Sequence, residues 1–413
     1  MPRFLTGINY WPRRSAMAMW DAFDVGEIDE DFALIASLGL EVVRFFLLWE
    51  AFQPEPRSME RETLRKLETL IELLGNHGLR AMPTFFTGHM SGVNWLPEWT
   101  LDKEREAGRF RTLTKHGERP YGIGDFYADP DLFVAQRLHV RSVGERFRGH
   151  PAILAWDLGN EFSNLRAPGS AREAAEWSKR LTDELLSTSG IAVTAGTHGE
   201  DLTRDSNIRL SSLCTEFAFA TMHGYSVYSS FARDRLDQDV VPFLAALARS
   251  LASKPVLFSE FGNPTCPPGT LSPYDREPLP GEWVAPARPP ETENLAPYAC
   301  LGELEMCTYA HRVLDRLQRR GALGGFWWCY ADYAPEIADR PPFDRAKHEL
   351  AFGIVRSDGS LKPVARTLEQ FAREAREVVP APQFTVDEAA HYEGLPHTVD
   401  KEYERYLRDE VRP

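Results

Sequence analysis

Trp156-Asp157-Leu158-Gly159-Asn160-Glu161 and Val256-Leu257-Phe258-Ser259-Glu260-Phe261-Gly262 are the two stretches on which the reading of this chain turns. Each is apolar and β-prone, and each runs abruptly into a glutamate. A strand interior does not end on an ionisable group unless that group faces a cavity or water. Two such strands in one chain point to a pair of carboxylates gathered at one end of a parallel sheet. Paired carboxylates are the minimal apparatus for cleaving a glycosidic bond.

Outward from these stretches, short apolar runs alternate with longer amphipathic ones. Strands are expected at 5–10, 41–47, 80–86, 153–160, 191–197, 218–225, 255–261 and 323–330. Helices are expected near 29–38, 60–75, 131–147, 171–187, 242–253, 301–320 and 363–377. Between the fifth and sixth strands the only helical candidate is 209–216. Alternating strands and helices imply parallel pairing with right-handed crossovers. Eight repeats imply an α/β fold, a closed (β/α)8 TIM barrel, whose chemistry gathers at the C-terminal strand ends. Residues 1–378 are read as this barrel and 379–413 as a C-terminal extension on its surface. Three connections exceed ordinary loops: 11–28, 87–130 and the proline-rich 262–297. All three follow strands, so all three are expected above the active-site face.

Composition bounds the function. The chain has 413 residues, 43% hydrophobic and 26% charged, with a formal net charge of −14. That balance argues against nucleic acid as a partner. No stretch is apolar and long enough to span a bilayer, and residues 1–8 lack the apolar run of a signal peptide. The five cysteines, Cys214, Cys266, Cys300, Cys307 and Cys329, form no C-x-x-C pair. A cytoplasmic protein with reduced thiols is the expectation, with a Cys266–Cys300 bridge across the proline-rich segment as the alternative. Dinucleotide, P-loop, zincin and nucleophile-elbow patterns are absent, and no metal or organic cofactor is expected. The oligomeric state has no signature here.

The strand ends carry a consistent set of polar groups. The second strand ends near Arg44, His89 follows the third, and Asn160-Glu161 end the fourth. His223 and Tyr225 lie two apart on the sixth, Glu260 ends the seventh, and Trp327-Trp328 lie on the eighth. Taken singly, each has a bland structural reading. Their coincidence at the same end of six strands does not.

At these positions the chain resembles clan A glycoside hydrolases, and most closely the β-mannosidase-like branch of family 5. Asn160-Glu161 and Glu260 look like that clan's acid/base and nucleophile. Arg44, His89, His223, Tyr225 and Trp328 look like the remaining set. Gly353-Ile354-Val355-Arg356-Ser357-Asp358-Gly359 resembles the segment before the clan's last helix, while Asn9-Tyr10-Trp11 with Trp20 is reminiscent of family 42 β-galactosidases. The resemblance implies a retaining β-glycosidase, exo-acting on short β-linked oligosaccharides. The alternatives are an endo-acting mannanase or glucanase with an open cleft, and a non-catalytic carbohydrate-binding barrel. It also implies that Asn160 meets a sugar 2-hydroxyl, that His89 and His223 bind hydroxyls or orient Glu161, and that Trp328 stacks on a pyranose. Arg44 and Tyr225 are expected to keep Glu260 ionised, and the Glu260 charge to raise the proton affinity of Glu161.

Overall fold

The computed structural model describes residues 2–266 and 302–410. Cys300, the candidate partner of Cys266, lies outside the described residues. Eight parallel strands form one sheet: β1 (Leu5–Asn9), β2 (Val42–Leu48), β3 (Arg80–Thr87), β4 (Trp156–Asn160), β5 (Val193–Gly196), β6 (Ala220–His223), β7 (Val256–Phe261) and β8 (Gly324–Trp327). β8 pairs with β1, so the spatial order follows the chain. β5 and β6 close the barrel near their upper ends. There the His223 N–H donates to the Thr197 carbonyl, and the Gly199 N–H donates to the His223 carbonyl, each at 2.9 Å. The fold is thus a (β/α)8 barrel.

The crossovers are α1 (Val25–Ser37), α2 (Arg61–Asn76), α3 (Pro130–Arg146), α4 (Ala171–Ser189), α5 (Val240–Ala252), α6 (Glu303–Arg319) and α7 (Pro363–Arg373). Their starts follow capping chemistry: Asp24, Asp129 and Ser170 accept backbone N–H bonds at the N-termini of α1, α3 and α4. Between β5 and β6 there are only two single-turn helices, Glu200–Thr203 and Leu210–Leu213. After α7 the chain runs back over the barrel wall. It forms α8 (Glu388–Glu393) and α9 (His397–Glu410), whose Tyr403 and Tyr406 pack against Phe243 of α5.

The barrel interior is layered. Val42, Met82, Leu257 and Phe326 make a dry lower plug. Gly7 is required there, because a Cβ would come within 2.4 Å of the Phe326 ring. Above the plug the filling turns polar, with Arg44, Thr84 and Asp157 all fully buried.

The register is irregular in both strands that lead to the glutamates. β7 bulges between Phe258 and Glu260 against β6, and β4 is irregular between Asp157 and Asn160 against β5. A bulge turns a side chain away from the regular alternation and often borders an active site. The two glutamate-bearing strands both carry one.

The long connection after β3, expected to exceed an ordinary loop, has strands of its own. It contains a four-stranded sheet (His89–Met90, Val93–Trp95, Arg111–Thr114, Gly117–Arg119) and a two-stranded one (Leu101–Glu106, Tyr121–Ile123). Thr112-Leu113-Thr114 is β-prone, and Gly117, at φ +101°, supplies the left-handed residue at the turn.

Candidate active site

Arg44 organises the barrel mouth. It rises from β2 through the centre, fully buried, and its guanidinium serves four acceptors. Nε donates to Asp157 Oδ2 at 3.0 Å, and Nη1 to Asn9 Oδ1 and Glu260 Oε2, each at 2.9 Å. Nη2 donates to Asn160 Oδ1 at 2.9 Å. A planar, permanently charged fork suits such a station better than a lysine. Gly196 makes room for it, since a Cβ there would meet the Gly159 carbonyl oxygen at 2.1 Å and Nη2 at 3.2 Å.

Glu260 is held on both oxygens. Arg44 takes Oε2, and the Tyr225 hydroxyl donates to Oε1 at 2.5 Å. Glu161 is held differently. Its backbone is left-handed (φ 47°, ψ 44°), a strained conformation for a non-glycine residue that clusters at functional sites. Three imidazoles surround its carboxylate. His223 Nδ1 lies 3.2 Å from Oε1, while His198 Nδ1 and His89 Nε2 lie 3.8 and 3.9 Å from Oε2. Asn164 donates to Oε2 at 3.1 Å.

The two carboxylates face each other. One oxygen of each, with a ring nitrogen of His223, falls in a cluster whose atoms lie within 4.8 Å of one another. Two carboxylates and an imidazole also form a donor set for a divalent cation. Here Arg44 already places a fixed positive charge against Glu260, which opposes a second cation at that point.

Burial pushes the Glu260 carboxyl up, and the Glu161 charge adds to that push; His223, Arg44 and the Tyr225 hydroxyl pull it back without cancelling it. Burial also pushes Glu161 up, but His198, His223 and His89 outweigh it and hold that carboxyl below its ordinary range. This reverses the order expected from the two carboxylates alone, in which the Glu260 charge raises Glu161. The reversal comes from the imidazoles, which converge on Glu161 from the β3 connection, the β5 connection and the end of β6.

The remaining expected residues also gather here. Asn160 uses one amide N–H on the His89 carbonyl at 2.9 Å, which leaves its second N–H for another acceptor. His89 donates from Nδ1 to Asn94 Oδ1 at 2.8 Å, so Nε2 is the nitrogen turned to Glu161, and burial keeps the ring's pKa low. Trp328 meets Phe46 edge to face at 5.8 Å, and Phe46 lies beneath the Arg44 guanidinium. Trp327 instead donates its indole N–H to the Phe352 carbonyl and packs on Phe261 in the wall.

Five site residues were not among those expected: Asn9, Asp157, Asn164, His198 and Phe110, whose ring lies 4.4 Å from that of His89. Asn9 and His198 do stand at strand ends. A single polar residue there, without a motif partner, is not distinguishable from a structural one.

The β3 connection is fastened on two sides. Arg111 makes a bidentate pair with Asp344 of the β8 connection, and Ser91 donates to Glu349 of the same connection at 3.0 Å. On the other side Arg109 pairs with Glu200 of the β5 connection at 2.6 Å. Phe110 lies between the two arginines.

Comparison with known proteins agrees with this architecture. Residues 19–185 match the model of the family 42 glycoside hydrolases, described as beta-galactosidase. A probable mannan endo-1,4-beta-mannosidase A-1 from Aspergillus terreus is 29% identical over 154 residues, covering 33% of this chain and 38% of that protein. Among solved structures, an exo-beta-1,4-mannosidase from Opitutaceae bacterium strain TAV5 superposes with a TM-score of 0.71 at 25% identity, covering 90% of this chain and 60% of that one. A family 5 subfamily 18 protein from Streptomyces cattleya, solved with Manβ1-4GlcNAc, superposes with a TM-score of 0.74 at 20% identity, covering 99% and 91%. The chain therefore spans little more than a third of the fungal relative and 60% of the Opitutaceae enzyme. These likenesses belong to clan A glycoside hydrolases, with family 5 mannosidases prominent among them.

Proposed function

We propose that this chain, a barrel akin to the family 5 mannosidase-like enzymes of clan A, is a retaining β-glycosidase that removes mannose from the ends of short β-linked oligosaccharides. The observation that carries the reading is the facing pair Glu161 and Glu260, within 4.8 Å oxygen to oxygen. Retaining glycosidases keep their carboxyls roughly 5–5.5 Å apart, whereas inverting ones need room for a water between them.

Glu260, oriented by Arg44 and Tyr225, attacks the anomeric carbon as the glycosidic C–O bond breaks. Glu161 passes its proton to the departing oxygen. Once Glu260 is esterified its charge is gone, and Glu161 accepts a proton from the incoming water. That water's oxygen displaces Glu260 and restores the carboxylate. The spare N–H of Asn160 is assigned to the sugar 2-hydroxyl, and Trp328 to the apolar face of the ring. His89 and His223 act on Glu161 and on neighbouring hydroxyls.

The exo assignment rests on the β3 connection, which is fastened to the β8 and β5 connections beside the site, and on the likeness to the Opitutaceae exo-mannosidase. A panel of aryl β-mannoside, glucoside, galactoside and fucoside, with mannobiose and mannan alongside, tests it. Mannoside and mannobiose turnover with mannose as the sole product from mannan is expected. Mixed oligomers from mannan would replace exo by endo action, and preference for the galactoside would overturn the sugar assignment. Absence of turnover on every substrate would leave a binding barrel.

A further inference from the structure

His198 has no role in the reaction as described above, yet its surroundings are built. It stands at the end of β5, 5% exposed, on the connection braced by the C-terminal segment. The Tyr392 hydroxyl donates to the Asp201 carbonyl at 3.0 Å, and the His391 ring meets the Leu202 carbonyl at 2.8 Å.

The hydrogen-bond chain behind the ring settles its tautomer. The single hydroxyl proton of Ser163 goes to Asp201 Oδ1 at 2.6 Å. Ser163 Oγ lies 2.9 Å from His198 Nε2 and can only accept from it. Asp201 is itself fixed, accepting from the His198 backbone N–H at 3.1 Å and from Ser206 at 3.1 Å. Nε2 therefore carries a proton in every state of the ring. Nδ1 is the nitrogen that titrates, and it is the one that faces Glu161 Oε2 at 3.8 Å.

We infer that His198, locked by the Ser163–Asp201 chain, is a positioning residue that shares the acid proton with Glu161 and so sets the alkaline limit of activity. The inference rests on the reading of Glu161 as the acid/base. At 3.8 Å the two groups are coupled through charge, and the one proton resides on Nδ1 or on a Glu161 oxygen with no change in the atoms or charge of the pair. The groups facing His198 are Asp201 and Glu200 on its own connection, Glu161 from β4, His89 from the β3 connection, His223 from β6, and Arg204. Burial pushes the ring down, but Asp201, Glu161 and Glu200 outweigh that and hold its proton affinity above the usual histidine range.

Sharing has a definite consequence. The last proton of a coupled pair is bound by both sites together, so deleting either site weakens its hold. His198→Asn should therefore move the alkaline limb of kcat/KM on an aryl mannoside of poor leaving group to lower pH, by about one unit. Ser163→Ala, which frees the tautomer and leaves the ring in place, should move it the same way by less. On a dinitrophenyl mannoside, whose leaving group departs without protonation, His198→Asn should move the alkaline limb of kcat/KM much less than on the poor leaving group.

Glu161→Gln, measured alongside, separates the two readings. If Glu161→Gln retains full activity on the poor leaving group, the acid/base assignment itself falls. If Glu161→Gln is impaired there while His198→Asn and Ser163→Ala keep the parent limb, only the role of His198 is overturned. Loss that is equal on both leaving groups and at every pH would also overturn it, as damage to structure.

Discussion

The β7 and β4 rims of the barrel present the same side chain and hold it by opposite means. Glu260 sits on a bulged strand between a fixed cation and a phenol, with each oxygen claimed by one donor. Glu161 sits on a left-handed residue inside a cage of imidazoles, none closer than 3.2 Å and two near 4 Å. One environment fixes position. The other fixes proton supply, because an imidazole can take up or give up a proton and a guanidinium does not. A double displacement asks for this division: a nucleophile that stays aimed, and an acid that changes state twice.

The largest expected effect comes from removing the nucleophile. Glu260→Gln should lower turnover by about 10⁴-fold or more while isothermal titration still detects the bound oligosaccharide. Next comes Glu161→Gln, with a loss in kcat/KM of about 10²–10⁴-fold on poor leaving groups and little on a dinitrophenyl leaving group, whose kcat still falls because deglycosylation lacks its base. The same variant sharpens the comparison electrostatically. Glu260 is raised partly by the Glu161 charge, so removing that charge lowers its proton affinity. The acid limb of kcat/KM on the activated substrate should then move to lower pH. A shift to higher pH would contradict the coupling.

Tyr225→Phe removes one of the two donors on Glu260. A hydrogen bond to a charged group is worth about 1.5–3 kcal/mol, so a loss of roughly 10–100-fold in kcat is expected with the fold intact by circular dichroism. The smallest effect should come from the rim. Arg111→Ala opens the contact with Asp344 and should leave the aryl mannoside rate within about twofold, since the pair is partly exposed. It should add oligomers to the products of mannan.

Much of this is legible in the sequence alone. The apolar runs ending on Glu161 and Glu260 marked β4 and β7, and the polar residues Arg44, His223 and Tyr225, on or just after strands, marked the mouth. What could not be read depends on partners distant in the chain. The bulges arise from the register of β4 on β5 and of β7 on β6, which no local pattern encodes. The small sheets after β3 are built from strands of two to six residues, too short for periodicity to stand out. The order of proton affinities was misjudged because it depends on how many imidazoles reach Glu161. His198 arrives there from β5 with no motif to announce it.

The central claim is that two facing carboxylates act by double displacement, and the stereochemistry of the first product tests it most directly. Proton NMR of an aryl β-mannoside during its first minutes with the enzyme should show β-mannose forming first and mutarotating later to the α anomer. Initial release of α-mannose would mean direct displacement by water, and would contradict the assignment of Glu260 as nucleophile.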